Sequence, residues 1–228
     1  MNEAEPSWLA SRRAPETFSG ALAVYLRQPG VCVILVFVLG VAGWRFALGE
    51  WSVRDLAGFA LAIAVWPVME WLLHRHVLHA RPWQLGRWRI DPDPAVKHRA
   101  HHAEPWRVRL VFLPVYVPVM LAPMLVLAVP LLPDRAVALS FLTGFGLAAL
   151  NYEWTHWIVH TRIQPRSAYY QAVFRNHRLH HFRHEDYWFS FMLPALDRWL
   201  GTGPDAASVA PSGTARDLDK RGGRGLSS

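Results

Sequence analysis

The chemistry in this sequence is concentrated in its histidines, of which there are 12 in 228 residues. They occupy short stretches: His74, His76 and His79; His98, His101 and His102; His156 and His160; His177, His180, His181 and His184. Residues 1–73 and 103–155 contain none. Offsets of three and four residues put side chains on neighbouring faces of a helix, at about 100° per residue. His98-x2-His101-His102 and His177-x2-His180-His181 share that spacing, and His156 and His160 are four apart. His74 and His79 are five apart, about 140° round an α-helix, so they could serve two metals or two sides of one site. Imidazole ligates iron, zinc and copper through one nitrogen while an acceptor holds the other. The expected ligands are His74, His79, His98, His101, His102, His156, His160, His177, His180 and His181. At roughly three to five protein ligands per ion, ten serve two ions better than one.

Other residues are weighed beside these. Glu70 and Glu153 lie about one turn before His74 and His156. Each either orients an imidazole, contacts a metal, or pairs at a helix end with an arginine. Asn176 and His184 are candidates for the same outer layer, and His76 is a spare at the surface. The run Tyr187-Trp188-Phe189-Ser190-Phe191 is read either as the lining of a substrate entrance (Tyr187, Trp188, Phe189, Phe191) or as an anchor at a membrane interface.

The elements that must position these residues are apolar. Hydrophobic residues make up 52% of the chain and charged residues 18%, against about 25% charged in ordinary soluble domains. Residues 31–48, 56–73, 110–132 and 136–152 form four apolar runs near the roughly 20 residues that cross a bilayer as a helix. Short links pair them into two antiparallel hairpins. Pro114, Pro118, Pro123 and Pro130 predict a kinked third span, and Thr143-Gly144-Phe145-Gly146 a face for close helix packing. Of 24 Lys and Arg, 21 fall on the side holding the N-terminus, 74–109 and the region after 153. Positive charge stays cytoplasmic, so both termini and the histidines are expected there. The net charge of +7 thus reads as topology rather than nucleic-acid binding. The single cysteine excludes a disulfide scaffold. The expected layout is a cytoplasmic N-terminal segment over 1–30, a membrane domain over 31–202 and a disordered tail over 203–228.

With these boxes in place the sequence resembles the fatty acid hydroxylase/sterol desaturase superfamily of integral-membrane di-iron oxygenases. The matching motifs are His74-x4-His79, His98-x2-His101-His102, His156-x3-His160 and His177-x2-His180-His181, with a hydrophobic hairpin between the second and third boxes. Leu196-Asp197-Arg198-Trp199-Leu200-Gly201-Thr202 resembles the family's terminal segment. The resemblance implies an all-α membrane protein of four transmembrane helices with a cytoplasmic helical cap around a histidine-rich dimetal site. It implies two iron ions, with zinc as a substitute metal, and dioxygen as co-substrate. It further implies oxidation of a lipid C–H bond in a fatty acyl or sterol-like chain drawn from the bilayer. Some relatives carry a fused haem domain, for which 30 residues before the first span are too short. Electrons are therefore expected from a separate small haem or iron–sulfur carrier. Carotenoid hydroxylases, desaturases and zinc-dependent membrane hydrolases share the donor chemistry. A metal transporter is the non-enzymatic rival, and it would place ligands inside the spans rather than at their ends.

Overall fold

A computed structural model describes residues 14–220. In chain order the helices are α1 (Phe18–Tyr25), α2 (Pro29–Leu48), α3 (Val53–Leu73), α4 (Asp93–Ala103), α5 (Val108–Val111), α6 (Tyr116–Ala128), α7 (Arg135–Val159), α8 (Ala168–Phe182) and α9 (Pro194–Trp199). α3 runs into a π-helical turn over His74–Leu78, and α6 into a 3-10 turn over Val129–Leu131. A small antiparallel hairpin, β1 (Trp83–Leu85) and β2 (Trp88–Ile90), pairs Trp83 with Ile90 and turns at Gly86, where φ is +59°. The sequence reading had not included this hairpin. Four helical stretches are long and apolar enough to cross a membrane: Pro29–Leu48, Val53–Leu78, Val108–Leu131 and Arg135–Val159.

The chain divides into two units. The span unit comprises Thr17–Val68 and Phe112–Trp157. Its core joins Val41, Val129, Leu139 and Leu142. Its helices keep large apolar side chains on the outside, among them Val36, Leu39, Leu61, Met124 and Leu127. That is the surface a hydrocarbon environment requires, since lipid leaves apolar side chains nothing to gain by turning inward. Pro29 opens α2 at the position where a missing N–H costs nothing. The small residues of α7 are used as expected. A Cβ on Gly144 would fall 2.7 Å from the Phe59 carbonyl oxygen, so only glycine permits this approach to α3. Arg45 is buried, donating to Asp55, Ser140 and the Gly49 and Glu50 carbonyls.

The third span is interrupted rather than bent. Residues 112–115 are not helical, because Pro114 lacks an N–H and disfavours the helical conformation of Leu113. The Leu113 N–H, left without a helical acceptor, donates to Glu153 Oε2 at 3.1 Å. Glu153 therefore repairs a helix break. Trp157 is buried and donates from Nε1 to the Ala21 carbonyl.

The histidine unit comprises residues 69–111 and 158–220, with 14–16. α8 starts at Ser167, whose Oγ accepts from the Tyr170 N–H. The expected disordered tail is corrected over 203–220. Val209, Ala215 and Leu218 are buried, Ser212 N–H donates to the Arg183 carbonyl, and Arg99 pairs with Asp219. Low hydrophobicity predicted disorder, but a few small apolar residues and many backbone bonds hold this segment. Residues 221–228 and 1–13 lie outside the described residues.

Gly144→Val tests the close approach. Overpacking against backbone should cost about 1–3 kcal/mol, read as a lower unfolding temperature of the protein in detergent, while Gly43→Ala, at a position open to space, should be nearly neutral.

Candidate metal centre

The histidine unit gathers its imidazoles in two neighbouring sets. In the first are His74, His79, His98, His102 and His180, with ligand atoms within 4.8 Å of one another. The π turn explains how His74 and His79 meet. It closes with an i→i+5 bond from the His79 N–H to the His74 carbonyl at 3.2 Å. This widened turn brings residues five apart toward one face, which an α-helix would not do. His74 and His79 thus fall in one set.

The Nε2 atoms of this set converge. His98 Nε2 lies 3.1 Å from that of His74, 3.0 Å from that of His79 and 3.1 Å from that of His102. His180 Nε2 lies 3.1 Å from those of His79 and His102. The other ring nitrogens point outward. Nδ1–H donates to a backbone carbonyl in His74 (Phe189, 2.6 Å), His102 (Ala215, 2.8 Å) and His180 (Tyr187, 2.8 Å). A carbonyl oxygen only accepts, so these Nδ1 atoms carry hydrogen and their Nε2 atoms present bare lone pairs. His102 and His180 therefore face each other lone pair to lone pair at 3.1 Å. Protonation does not relieve this: burial above all, then the neighbouring imidazoles, hold His98 and His180 well below the ordinary histidine pKa. A cation shared by the lone pairs does relieve it, so the donor set fits a metal.

The second set within this unit is His101, His160, His177 and His181. His160 and His177 approach at 2.8 Å through Nε2, and His181 has no hydrogen-bond partner on either ring nitrogen among the described residues. Burial, then the surrounding histidines, lowers the His181 pKa well below its ordinary value. The rings of His102 and His181 stack at 4.2 Å, joining the two sets. His156 is buried on the last turn of α7, four residues before His160. His76 is exposed. His184 is partly buried, accepts from the Asp186 N–H and meets Tyr187 edge to face.

The loop 187–192 carries two of the three carbonyl acceptors and most of the aromatic wall. Phe189 packs against His74, His79 and His180, and Phe191 against His74 and His177. Trp188, Phe189 and Phe191 are all at most 3% exposed. They form an apolar wall beside the imidazoles. Tyr187 is partly buried beside them. Trp188 sits at φ +58°, a left-handed conformation that is costly for a large side chain.

Carboxylates under the loop offset that cost. Asp197 accepts from the Phe189 and Ser190 N–H groups, the Asn176 amide and the Thr202 hydroxyl, at 2.7 to 2.9 Å. Its pKa is nonetheless pushed up, by burial. Glu70 Oε1 accepts from the Phe191 and Met192 N–H groups. Glu70 and Asn176 therefore bond the loop that carries the carbonyl acceptors. Asp197 and Thr202 were absent from the expected site residues, although they belong to the terminal segment that carried the resemblance. The Tyr187, Phe189 and Ala215 acceptors left no sequence signal, since any residue has a carbonyl.

Fold and site together define a helical membrane protein with two buried imidazole sets suited to metal. The family model for fatty acid hydroxylase matches residues 59–202, and the chain belongs to that family. It is 28% identical over 148 residues to the fatty acid 2-hydroxylase of Rattus norvegicus, covering 60% of this chain and 39% of that protein. It is 28% identical over 152 residues to a dihydroceramide fatty acyl 2-hydroxylase of Arabidopsis thaliana, covering 66% and 62%. The chain thus spans less than two thirds of these relatives. Its fold matches the solved hydroxylase domain of full-length scs7p with a TM-score of 0.61 at 19% identity, over 78% of this chain and 66% of that one.

Asp197→Ala would strand two buried loop N–H groups, at about 1–3 kcal/mol each. A lower unfolding temperature and a roughly tenfold weaker metal affinity are expected, measured by thermal denaturation and by competition with a chelator.

Proposed function

We propose that this protein is an iron-dependent lipid hydroxylase that inserts one oxygen atom of dioxygen into a C–H bond of a fatty acyl chain. The carrying observation is the inward convergence of five Nε2 atoms, three of them on rings whose Nδ1 sides are tied to carbonyls, in a chain of the fatty acid hydroxylase family. The names of the relatives support carbon 2 of the acyl chain as the position attacked. The overall reaction consumes dioxygen, two electrons and two protons; one oxygen enters the new C–O bond and the other leaves as water. A separate small haem or iron–sulfur carrier supplies the electrons, and zinc would occupy the same nitrogens without redox chemistry.

His74, His79, His98, His102 and His180 would hold one iron ion. His101, His160, His177 and His181 would hold the second, with His156 as a further ligand by its helical spacing from His160. When bound, the two ions supply the activation of dioxygen. The protein's own contribution is geometric. The carbonyls of Tyr187, Phe189 and Ala215 keep Nδ1 protonated on three rings, so Nε2 stays available. Phe189 and Phe191 exclude water, which would otherwise compete for a reactive site. Low-lying histidine pKa values keep the rings neutral and able to ligate. The uneven distribution of cations supports placing the termini and the histidine unit on the cytoplasmic side.

The purified protein is expected to carry two iron ions per chain. Given oxygen-18 dioxygen, a reductase system and acyl lipid, it should form 2-hydroxyacyl product bearing one labelled oxygen. His101→Ala and His180→Ala should each lower the metal content by about one ion and abolish product. A wild type without transition metal, or a hydroxyl oxygen derived from water, overturns the reading.

A further inference from the structure

The family match ends at residue 202, yet the chain beyond it reaches the first histidine set. We propose that residues 203–220 form a strap that completes this set, with the Ala215 carbonyl acting as the positioning group for His102. The inference rests on the metal reading given above.

The strap is tied at both of the helices that carry the paired histidine boxes. At the end of α8, Arg183 Nε donates to the Val209 carbonyl at 2.8 Å, the Ser212 N–H donates to the Arg183 carbonyl at 2.7 Å, and the Thr214 hydroxyl donates to the buried Glu185. Along α4, Arg99 Nε donates to Asp219 at 2.7 Å, and Arg216 donates to the Ala103 carbonyl at the helix end. Arg216 also lies over the rings of Trp106 and Phe182. Between these ties Ala215 is 3% exposed and sits beside His102.

The bond from His102 Nδ1–H to Ala215 has a chemical consequence. Neutral imidazole carries one hydrogen, on either nitrogen. While Ala215 accepts from Nδ1, the lone pair must be on Nε2, which faces His98 and His180. Without the strap the hydrogen is free to move to Nε2, and the ring no longer offers a donor atom inward. Tyr187 and Phe189 do the same for His180 and His74 from the loop. The first set therefore takes its three carbonyl acceptors from two separate segments, and one of those segments is the strap. The strap also walls a cleft of about 900 Å³ that reaches His79, with Leu218 and Asp219 on one side and Arg81, Trp83 and Arg89 among the residues facing it.

Two variants of the iron-loaded protein in detergent test this: a chain ending at Asp205, and the full-length double variant Thr214→Val/Asp219→Ala, which cuts side-chain ties and leaves every proposed ligand in place. The readout is iron released into excess chelator over time. In the full chain the two ions should leave slowly. In both variants one ion of the two should leave about tenfold faster or more, and the second should leave at the full-chain rate. Release of both ions at the full-chain rate from the double variant overturns the strap's role, whether or not the shortened chain folds. Equal acceleration of both ions overturns it too, since that is general loosening. A full chain that binds no iron overturns the proposed function and the strap with it, whereas a full chain that holds two ions isolates the strap as the point of failure.

Discussion

Nitrogen lone pairs repel, and five imidazole nitrogens held within a few ångströms, three of them on rings whose hydrogen is fixed on the other nitrogen, make an arrangement that does not persist by itself. In water each imidazole would turn its nitrogens to solvent. Here the rings are held inward from behind, by hydrogen bonds from Nδ1 to backbone carbonyls, and from the sides, by neighbouring aromatic rings. The surrounding structure supplies that restraint. The loop 187–192 offers two carbonyls, Asp197 and Glu70 hold the loop by its N–H groups, and Thr202 and Asn176 complete the carboxylate's bonds. Each layer leaves the next with fewer conformations, so the ordering entropy is met by the fold before a metal arrives.

Burial serves the same end by a second route. A histidine in water is partly protonated near pH 6.5, and a protonated ring cannot ligate. The low dielectric around His98, His180 and His181, together with their neighbours, disfavours the charged form. The aromatic wall of Phe189 and Phe191 therefore does two things, excluding water and keeping the donors neutral. The strained backbone at Trp188 is the cost of placing that wall and both carbonyls in so short a loop.

The span unit solves a different problem. Its backbone polar groups cannot rely on water, so an interrupted helix needs an internal acceptor. Glu153 provides one for Leu113, next to the proline that causes the break. Arg45, near the end of an apolar run, is a buried hub that satisfies Asp55, Ser140 and the carbonyls ending α2. A charge count cannot distinguish a solvated arginine from one that closes a hairpin.

The sequence by itself determined the class of the protein and most of the donor atoms. Helical periodicity is a local rule, so His98, His101 and His102, or His177, His180 and His181, share faces whatever the rest of the chain does. Apolar runs of membrane length, the cation asymmetry and the small-residue face of α7 are equally local. Tertiary structure alone decided what depends on distant backbone. It placed His74 and His79 on one side, through a π turn that α-helical arithmetic does not contain. It directed Glu70 and Asn176 to the 187–192 loop and Asp197, and Glu153 to the Leu113 N–H, and it folded residues 203–220 onto His102. The acceptors that orient the rings are carbonyl oxygens, common to every residue type. Only the path of the chain, and no side-chain identity, brings Tyr187, Phe189 and Ala215 to the histidines they hold.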